Sequence, residues 1–363
     1  MNIVRYEFPG FIDVHVHFRD PGVPEAETTE TGLCSAGRGG FSAVVTMPNT
    51  TPAIDSPEHI RNQLQKAASS SFRRTILYPS GCLTKGRLGR EVADLEAMAD
   101  AGAVFFTDDG SYVFDDHVME EAMNRAAALG MAVCDHAMLP TKGVIRDCAL
   151  ARRLGLPIIP VSVETGAIRR DLSLCRETGC RLHIQHISTA EGVDLIRQAQ
   201  AEGLPVTAEA TPHHLLLSCD DLTDDDANFK MAPPLGNHED RAELRRAVKD
   251  GLLFFATDHA PHPAAKKSVG FGLSANGIIG LEAAVPLTYE VMVEEEGMPI
   301  DDWAKAWSEM PRALISSPAV HLSPLKPTVL EVGEERTIDV DSFASKSRNC
   351  PYHGLKGRCW PCK

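Results

Sequence analysis

Eight short, mostly apolar runs recur along this chain, at 11–17, 42–47, 75–80, 103–107, 131–135, 181–187, 204–209 and 252–257. Segments of helical pattern separate them, near 27–38, 56–70, 89–101, 117–129, 164–178, 190–202 and 240–250. Strands that alternate with helices pair in parallel, and eight of them close an α/β barrel of the (β/α)8 type, which needs about 250 residues. An open, doubly wound sheet is the competing architecture. It is disfavoured because polar residues mark the ends of strands drawn from the whole chain. Local signals agree with the pattern: Ser56-Pro57-Glu58 places a capping side chain before a proline in a first helical turn.

Past the eighth run, 281–297 and 301–315 read as helices packed outside the barrel. The expected organisation is a lead-in over 1–10, a barrel with outer helices over 11–317, and an irregular tail over 318–363. Composition narrows the partners. A formal charge of −14 argues against nucleic acid or an anionic membrane. An anionic small molecule would have to be held by a few placed cations. No apolar run approaches the roughly 18 residues of a membrane span, and the first residues lack the layout of a secretion signal. With ten scattered cysteines read as reduced thiols, the expected location is cytoplasmic.

The strand ends carry the chemistry. Alternation puts Asp13, His15 and His17 on one face of the first strand, and Ile12, Val14 and Val16 on the other. Two core histidines bonded to neighbours would explain that pair alone. The fourth strand, however, ends in Thr107-Asp108-Asp109-Gly110, the fifth in Asp135-His136, the sixth in Gln185-His186 and the eighth in Thr257-Asp258-His259. Five strands thus deliver imidazole or carboxylate to the end where barrel enzymes build their sites, and such donors suit zinc and similar divalent ions. Arg19 follows the first strand directly and offers a bidentate fork for a carboxylate.

The blocks His17-Phe-Arg-Asp-Pro-Gly22, Met47-Pro-Asn-Thr50, Phe106-Thr-Asp-Asp-Gly110, His183-Ile-Gln-His-Ile-Ser188, Ala256-Thr-Asp-His-Ala-Pro-His262 and Asn276-Gly-Ile-Ile-Gly-Leu-Glu282 together resemble the motifs of the longer-chain class of dihydroorotases, amidohydrolase-superfamily enzymes. The likeness runs from about Pro9 to Leu314, with a weaker echo in Ser345-Lys-Ser-Arg-Asn349. It implies a zinc-dependent cyclic amide hydrolase that interconverts dihydroorotate and N-carbamoyl-L-aspartate in de novo pyrimidine (UMP) biosynthesis, with one or two Zn2+ ions per chain. His15, His17 and Asp258 would hold one ion, His136 and His186 a second, and Asp109 would bridge them. Metal-bound hydroxide would attack the ring amide, with Asp258 as acid and base. Arg19, Asn49 and His262 would contact the substrate, and the loop through Asn276 and Gly277 would offer it backbone groups.

Many relatives bridge their metals with a carbamylated lysine, but this chain has no lysine between Lys85 and Lys142. That weakens two enzymatic alternatives, a hydantoinase and an allantoinase. A third alternative is a non-catalytic, dihydroorotase-like partner of aspartate transcarbamoylase, expected to lack metal ligands. Three departures from the family pattern stand out. Lys230-Met-Ala-Pro-Pro-Leu-Gly236 has Ala232 and Gly236 where asparagine and arginine are common. The small β-domain usual at the front is expected to be absent or reduced to a remnant, which raises a second copy of the chain as a cover for barrel surface. Cys350, His353, Cys359 and Cys362 have the types of a zinc site without its context, so a loosely docked tail is the expectation.

Overall fold

The computed structural model describes residues 3–320, 322 and 324–362; residues 1 and 2 of the expected lead-in, and 321, 323 and 363 of the expected tail, lie outside the described residues. Ten strands are named here: β1 (Val4–Phe8), β2 (Phe11–Val16), β3 (Phe41–Thr46), β4 (Ile76–Pro79), β5 (Ala132–Asp135), β6 (Arg181–Ile184), β7 (Val206–Ala210), β8 (Leu253–Phe255), β9 (Thr328–Thr337) and β10 (Lys356–Pro361). β2, β3 and β4 pair in parallel, as do β5, β6, β7 and β8.

The run 103–107 joins these two sheets. Val104 N–H donates to Pro79 at 3.1 Å and Phe106 N–H to Ala132 at 3.1 Å, while Gly81 and Cys134 N–H donate back at 3.1 and 2.9 Å. It forms bridges at Phe106 rather than a continuous ladder. Pro79, at the end of β4, has no N–H to give, and that interrupts the regular pattern. At the remaining seam Val16 bridges His259 in parallel, and His17 N–H donates to the His259 carbonyl at 2.8 Å. The circuit is closed: the expected eight-stranded barrel is present.

Asp13 clamps that seam. Its buried carboxyl accepts from the amides of His15 and Thr257, both at 3.1 Å, and from the Thr257 hydroxyl at 2.5 Å. Burial pushes it up to about 7 despite those bonds. Helix Ile300–Trp307 packs against β2 and β8. Trp303 meets Phe11 edge-on at 5.5 Å, Trp307 stacks on Phe255 at 4.9 Å, and both indole N–H groups reach the Thr288 hydroxyl.

Outer helices cover 29–38, 57–69, 95–101, 116–128, 162–178, 190–201 and 238–249. Ser56 caps the second, with Pro57 in its first turn. The helix expected over 89–101 is shorter, because Lys85 and Glu91 pair across a loop and Asp94 caps a start at Leu95. The one expected over 281–297 becomes a turn at Ala284–Thr288 that widens into a π-helical stretch at Tyr289–Glu295.

The expected irregular tail is where the structure differs most. β9 runs antiparallel to both β1 and β10, with Val4 opposite Val332. Segments near the two ends of the chain therefore share a three-stranded sheet. Glu331, Glu334, Glu335 and Arg336 dilute the apolar signal of β9, and its partner β1 lies at the other end of the sequence, beyond the reach of local pattern.

Candidate metal centre

The carboxyl-terminal ends of the barrel strands bring six side chains to one buried point. His15 leaves β2 and His17 follows it; Asp109 follows the run 103–107; His136, His186 and Asp258 follow β5, β6 and β8. His15 Nε2 and His136 Nδ1 lie 3.4 and 3.5 Å from Asp109 Oδ1, and His186 Nε2 lies 3.8 Å from it. His17 Nε2 is 3.5 Å from Asp109 Oδ2 and 2.9 Å from Asp258 Oδ1, which is 3.5 Å from His15 Nε2. Two triads result, His15–His17–Asp109 and Asp109–His136–His186, each with ligand-capable atoms within 4.8 Å of one another. Asp109 belongs to both.

His186 and Asp258 have φ of 33° and 47°, and Arg19 has 53°. Residues other than glycine rarely hold such angles, and strain of this kind gathers at functional sites. His15 Nε2 and Asp109 Oδ1 are buried without a hydrogen-bond partner among the described residues. Such groups cost about 1–3 kcal/mol each when left unsatisfied. A divalent cation would meet both at once, and imidazole nitrogen with carboxylate oxygen is a donor set for zinc-like ions. The residues fit a metal.

Charge follows the same geometry. Burial alone would raise Asp109, but His15, His136 and His17 hold its carboxyl well below the usual range. Burial of Asp258 is likewise outweighed by the bond from His17 and the charges of His15 and His17, and its carboxyl falls. His186 is pushed well below an ordinary histidine by burial, with His136 and His15 adding to the effect.

Glu209, on β7, has no counterpart among the expected site residues. Its carboxylate accepts from His15 Nδ1 at 2.6 Å, from His183 Nε2 at 3.0 Å and from the His186 amide at 3.1 Å. It thereby fixes which nitrogen of His15 faces the cluster. Burial would raise it, yet the charge of His15 and the bonds from His15 and His183 bring it down to about 2. A signal existed: Val206, Ala208 and Ala210 alternate with Thr207 and Glu209, so the polar pair shares a strand face.

A cavity of about 470 Å3 opens over the cluster, with Arg19, Asn49, His262, Asn276 and Gly277 in its wall. Arg19 Nε donates to the Pro261 carbonyl at 3.3 Å. Its guanidinium pairs with no carboxylate among the described residues, since Asp20 turns instead to Lys66 and Thr29. Burial lowers Arg19 to about 10, so it stays charged at neutral pH. Asn49 already spends its amide inside the cluster: Oδ1 accepts from His17 Nδ1 at 2.8 Å and Nδ2 donates to Asp109 at 3.2 Å. His262 is brought down to about 4 by burial and then by Arg19, which leaves it neutral, and its Nε2–H donates to the Asn276 carbonyl at 2.7 Å.

Gly277 has φ +125°, and a Cβ there would stand 2.7 Å from the Ala260 Cβ, so only glycine fits. Its backbone groups, expected to face a ring, are engaged by the protein: the N–H by the Lys230 carbonyl, the C=O by Lys267 and Asn349. Ala232 lines the cavity. Gly236 does not, and a Cβ there would fall 2.5 Å from the Asp240 Cβ, which excludes any larger side chain. The tail is docked: Cys350 and Cys359 are buried, and among the described residues His353 groups with the exposed Asp339 and Asp341 rather than with the three cysteines.

A closed α/β barrel with a buried histidine–carboxylate cluster at its carboxyl-terminal mouth defines a metal-dependent hydrolase of the amidohydrolase type. Comparisons with known proteins narrow the class. Residues 5–192 match the family model described as dihydro-orotase-like. The chain is 42% identical to a dihydroorotase of Geobacillus thermodenitrificans, over 97% of this chain and 84% of that one, and 42% identical to a dihydroorotase of Bacillus caldolyticus over 98% and 85%. Among solved structures, an L-hydantoinase (dihydropyrimidinase) of Arthrobacter aurescens superposes with a TM-score of 0.86 at 25% identity, over 98% of this chain and 83% of that one. A dihydroorotase of Campylobacter jejuni gives 0.76 at 16% identity over 100% and 99%, a likeness of fold alone. The chain belongs to the dihydroorotase family.

Proposed function

We infer that this site opens and closes the ring of dihydroorotate, in metal-dependent exchange with N-carbamoyl-L-aspartate. The observation that carries the reading is the pair of triads sharing Asp109, with the unpaired guanidinium of Arg19 in the cavity wall beside them. His15, His17 and Asp258 would hold one ion, and His136 and His186 the other, with Asp109 common to both. The nitrogen and oxygen donors favour zinc over harder ions such as magnesium. When bound, a divalent ion supplies Lewis-acid polarisation of an amide carbonyl and acidifies water toward a pKa of about 7.

The chain's own residues do the rest. Arg19 takes the substrate carboxylate with two parallel N–H bonds and so turns the ring amide toward the cluster. Asn49 keeps His17 and Asp109 in register from the cavity side. Asp258, ionised in the resting site, accepts a proton from the attacking water and hands it to the amide nitrogen as the carbon–nitrogen bond breaks. The products are a new carboxylate and the free end of the carbamoyl group; ring closure is the reverse. His262, whose ring N–H is taken by the Asn276 carbonyl, leaves recognition of the carboxylate to Arg19.

Turnover of dihydroorotate, set beside an uncharged hydantoin, tests the reading. The protein should act on dihydroorotate, and Asp258→Ala should retain metal at least in part yet lose ring opening. Turnover of the hydantoin with none of dihydroorotate would overturn the assignment.

A further inference from the structure

We propose that Lys267 and Asn349 are positioning residues for this reaction, bracing from behind the cavity edge that carries His262 and Asn276. The inference rests on the reading of the site as a dihydroorotase. Lys267 lies outside the cavity wall, at the end of the short helix Ala264–Lys267 that follows β8. Its ammonium donates to three carbonyls: Lys230 at 3.1 Å, Ala275 at 3.0 Å and Gly277 at 3.0 Å. Asn349 reaches the same edge from the carboxyl-terminal segment. Its Nδ2 donates to the carbonyls of Ala260 and Gly277, both at 3.0 Å, and its Oδ1 accepts from the His262 amide at 3.2 Å.

Peptide planarity gives these contacts a consequence inside the cavity. In a trans peptide the C=O and the following N–H point in opposite directions. With the Ala275 carbonyl turned back to Lys267, the Asn276 N–H is turned away from it, toward the cavity that Asn276 lines. That N–H has no partner among the described residues. The lysine therefore aims one backbone donor at the substrate, and Asn349 holds the backbone of His262 next to it. Asn349 is buried, and Ser347 beside it donates to the carbonyls of Ala26 and His262 at 2.8 and 3.0 Å. The segment 345–349 is thus packed behind the site's wall.

The test uses the full chain loaded with zinc, assayed with dihydroorotate, in the variants Lys267→Met, Lys267→Arg and Asn349→Ala. The neighbouring Lys266→Met is the control, since Lys266 is exposed and its side chain makes no hydrogen bond or ion pair among the described residues. Losing an aligned donor to the substrate should raise KM about tenfold in Lys267→Met, with kcat and metal content close to those of the parent. Lys267→Arg should recover part of that loss, Asn349→Ala should raise KM likewise, and Lys266→Met should change nothing. An unchanged KM in Lys267→Met overturns the proposal. So does a parallel fall of kcat, metal content and melting temperature, which marks a purely structural brace. A parent protein that fails on dihydroorotate but opens a hydantoin refutes the functional reading instead, and the same KM comparison on that hydantoin then decides the brace.

Discussion

Glu209→Gln is the most informative single change below the cluster. Glutamine matches glutamate in shape but keeps one oxygen and no charge. His183 can adapt, because its other ring nitrogen faces the Thr207 hydroxyl at 2.9 Å, and a hydroxyl can donate or accept. The glutamine oxygen can then still accept from His15 Nδ1. What is lost is the charge on that 2.6 Å bond. Charged hydrogen bonds contribute about 1.5–3 kcal/mol and neutral ones about 0.5–1.5, so the change removes on the order of 1–2 kcal/mol from the partner that makes His15 a stronger ligand. Partners of this kind typically govern metal affinity by about 10- to 100-fold. Competition against a chromophoric chelator should therefore show zinc held at least about tenfold more weakly, with turnover recovering when zinc is added in excess. Parental zinc affinity together with parental kcat/KM would refute the role given to Glu209.

Two further expectations concern charge. Arg19→Met should raise KM for dihydroorotate by about two orders of magnitude while leaving zinc content intact, because it deletes a bidentate partner of the carboxylate rather than a ligand; an unchanged KM would remove Arg19 from substrate binding. The Glu209 carboxyl sits at about 2 in the fold against an ordinary 4.5, so its contribution to stability is complete above the ordinary value and is lost as pH falls through about 2. The difference amounts to about 3 kcal/mol. Acid unfolding of the metal-free protein between these limits should be less steep in Glu209→Gln, and identical pH dependence of the two would contradict the assignment.

Much of this site can be read from the chain because strand alternation fixes direction. His15 and His17 share a face, and any closed parallel barrel turns the ends of its strands toward one mouth. What local pattern could not carry was contact across the fold. Asn49 reads as a cavity residue from its position, yet its amide is spent on His17 and Asp109. Glu209 closes the seventh run, 204–209, but it reaches the cluster only through His15 and the His186 amide, contacts across the fold that local pattern does not show. β9 is rich in charge and pairs with β1 from the opposite end of the sequence, which makes the tail look irregular. The segment Ser345–Asn349 matters through where that sheet delivers it, and nothing in its spacing tells of Gly277 or His262.

Sharing of Asp109 by two metal ions can be read from zinc titration of the stripped protein followed by turnover of dihydroorotate. A shared carboxylate predicts no activity without metal, full activity at two ions per chain, and loss of the second ion in Asp109→Asn. Full turnover in the stripped protein, or a plateau at one ion that Asp109→Asn leaves unchanged, would contradict it.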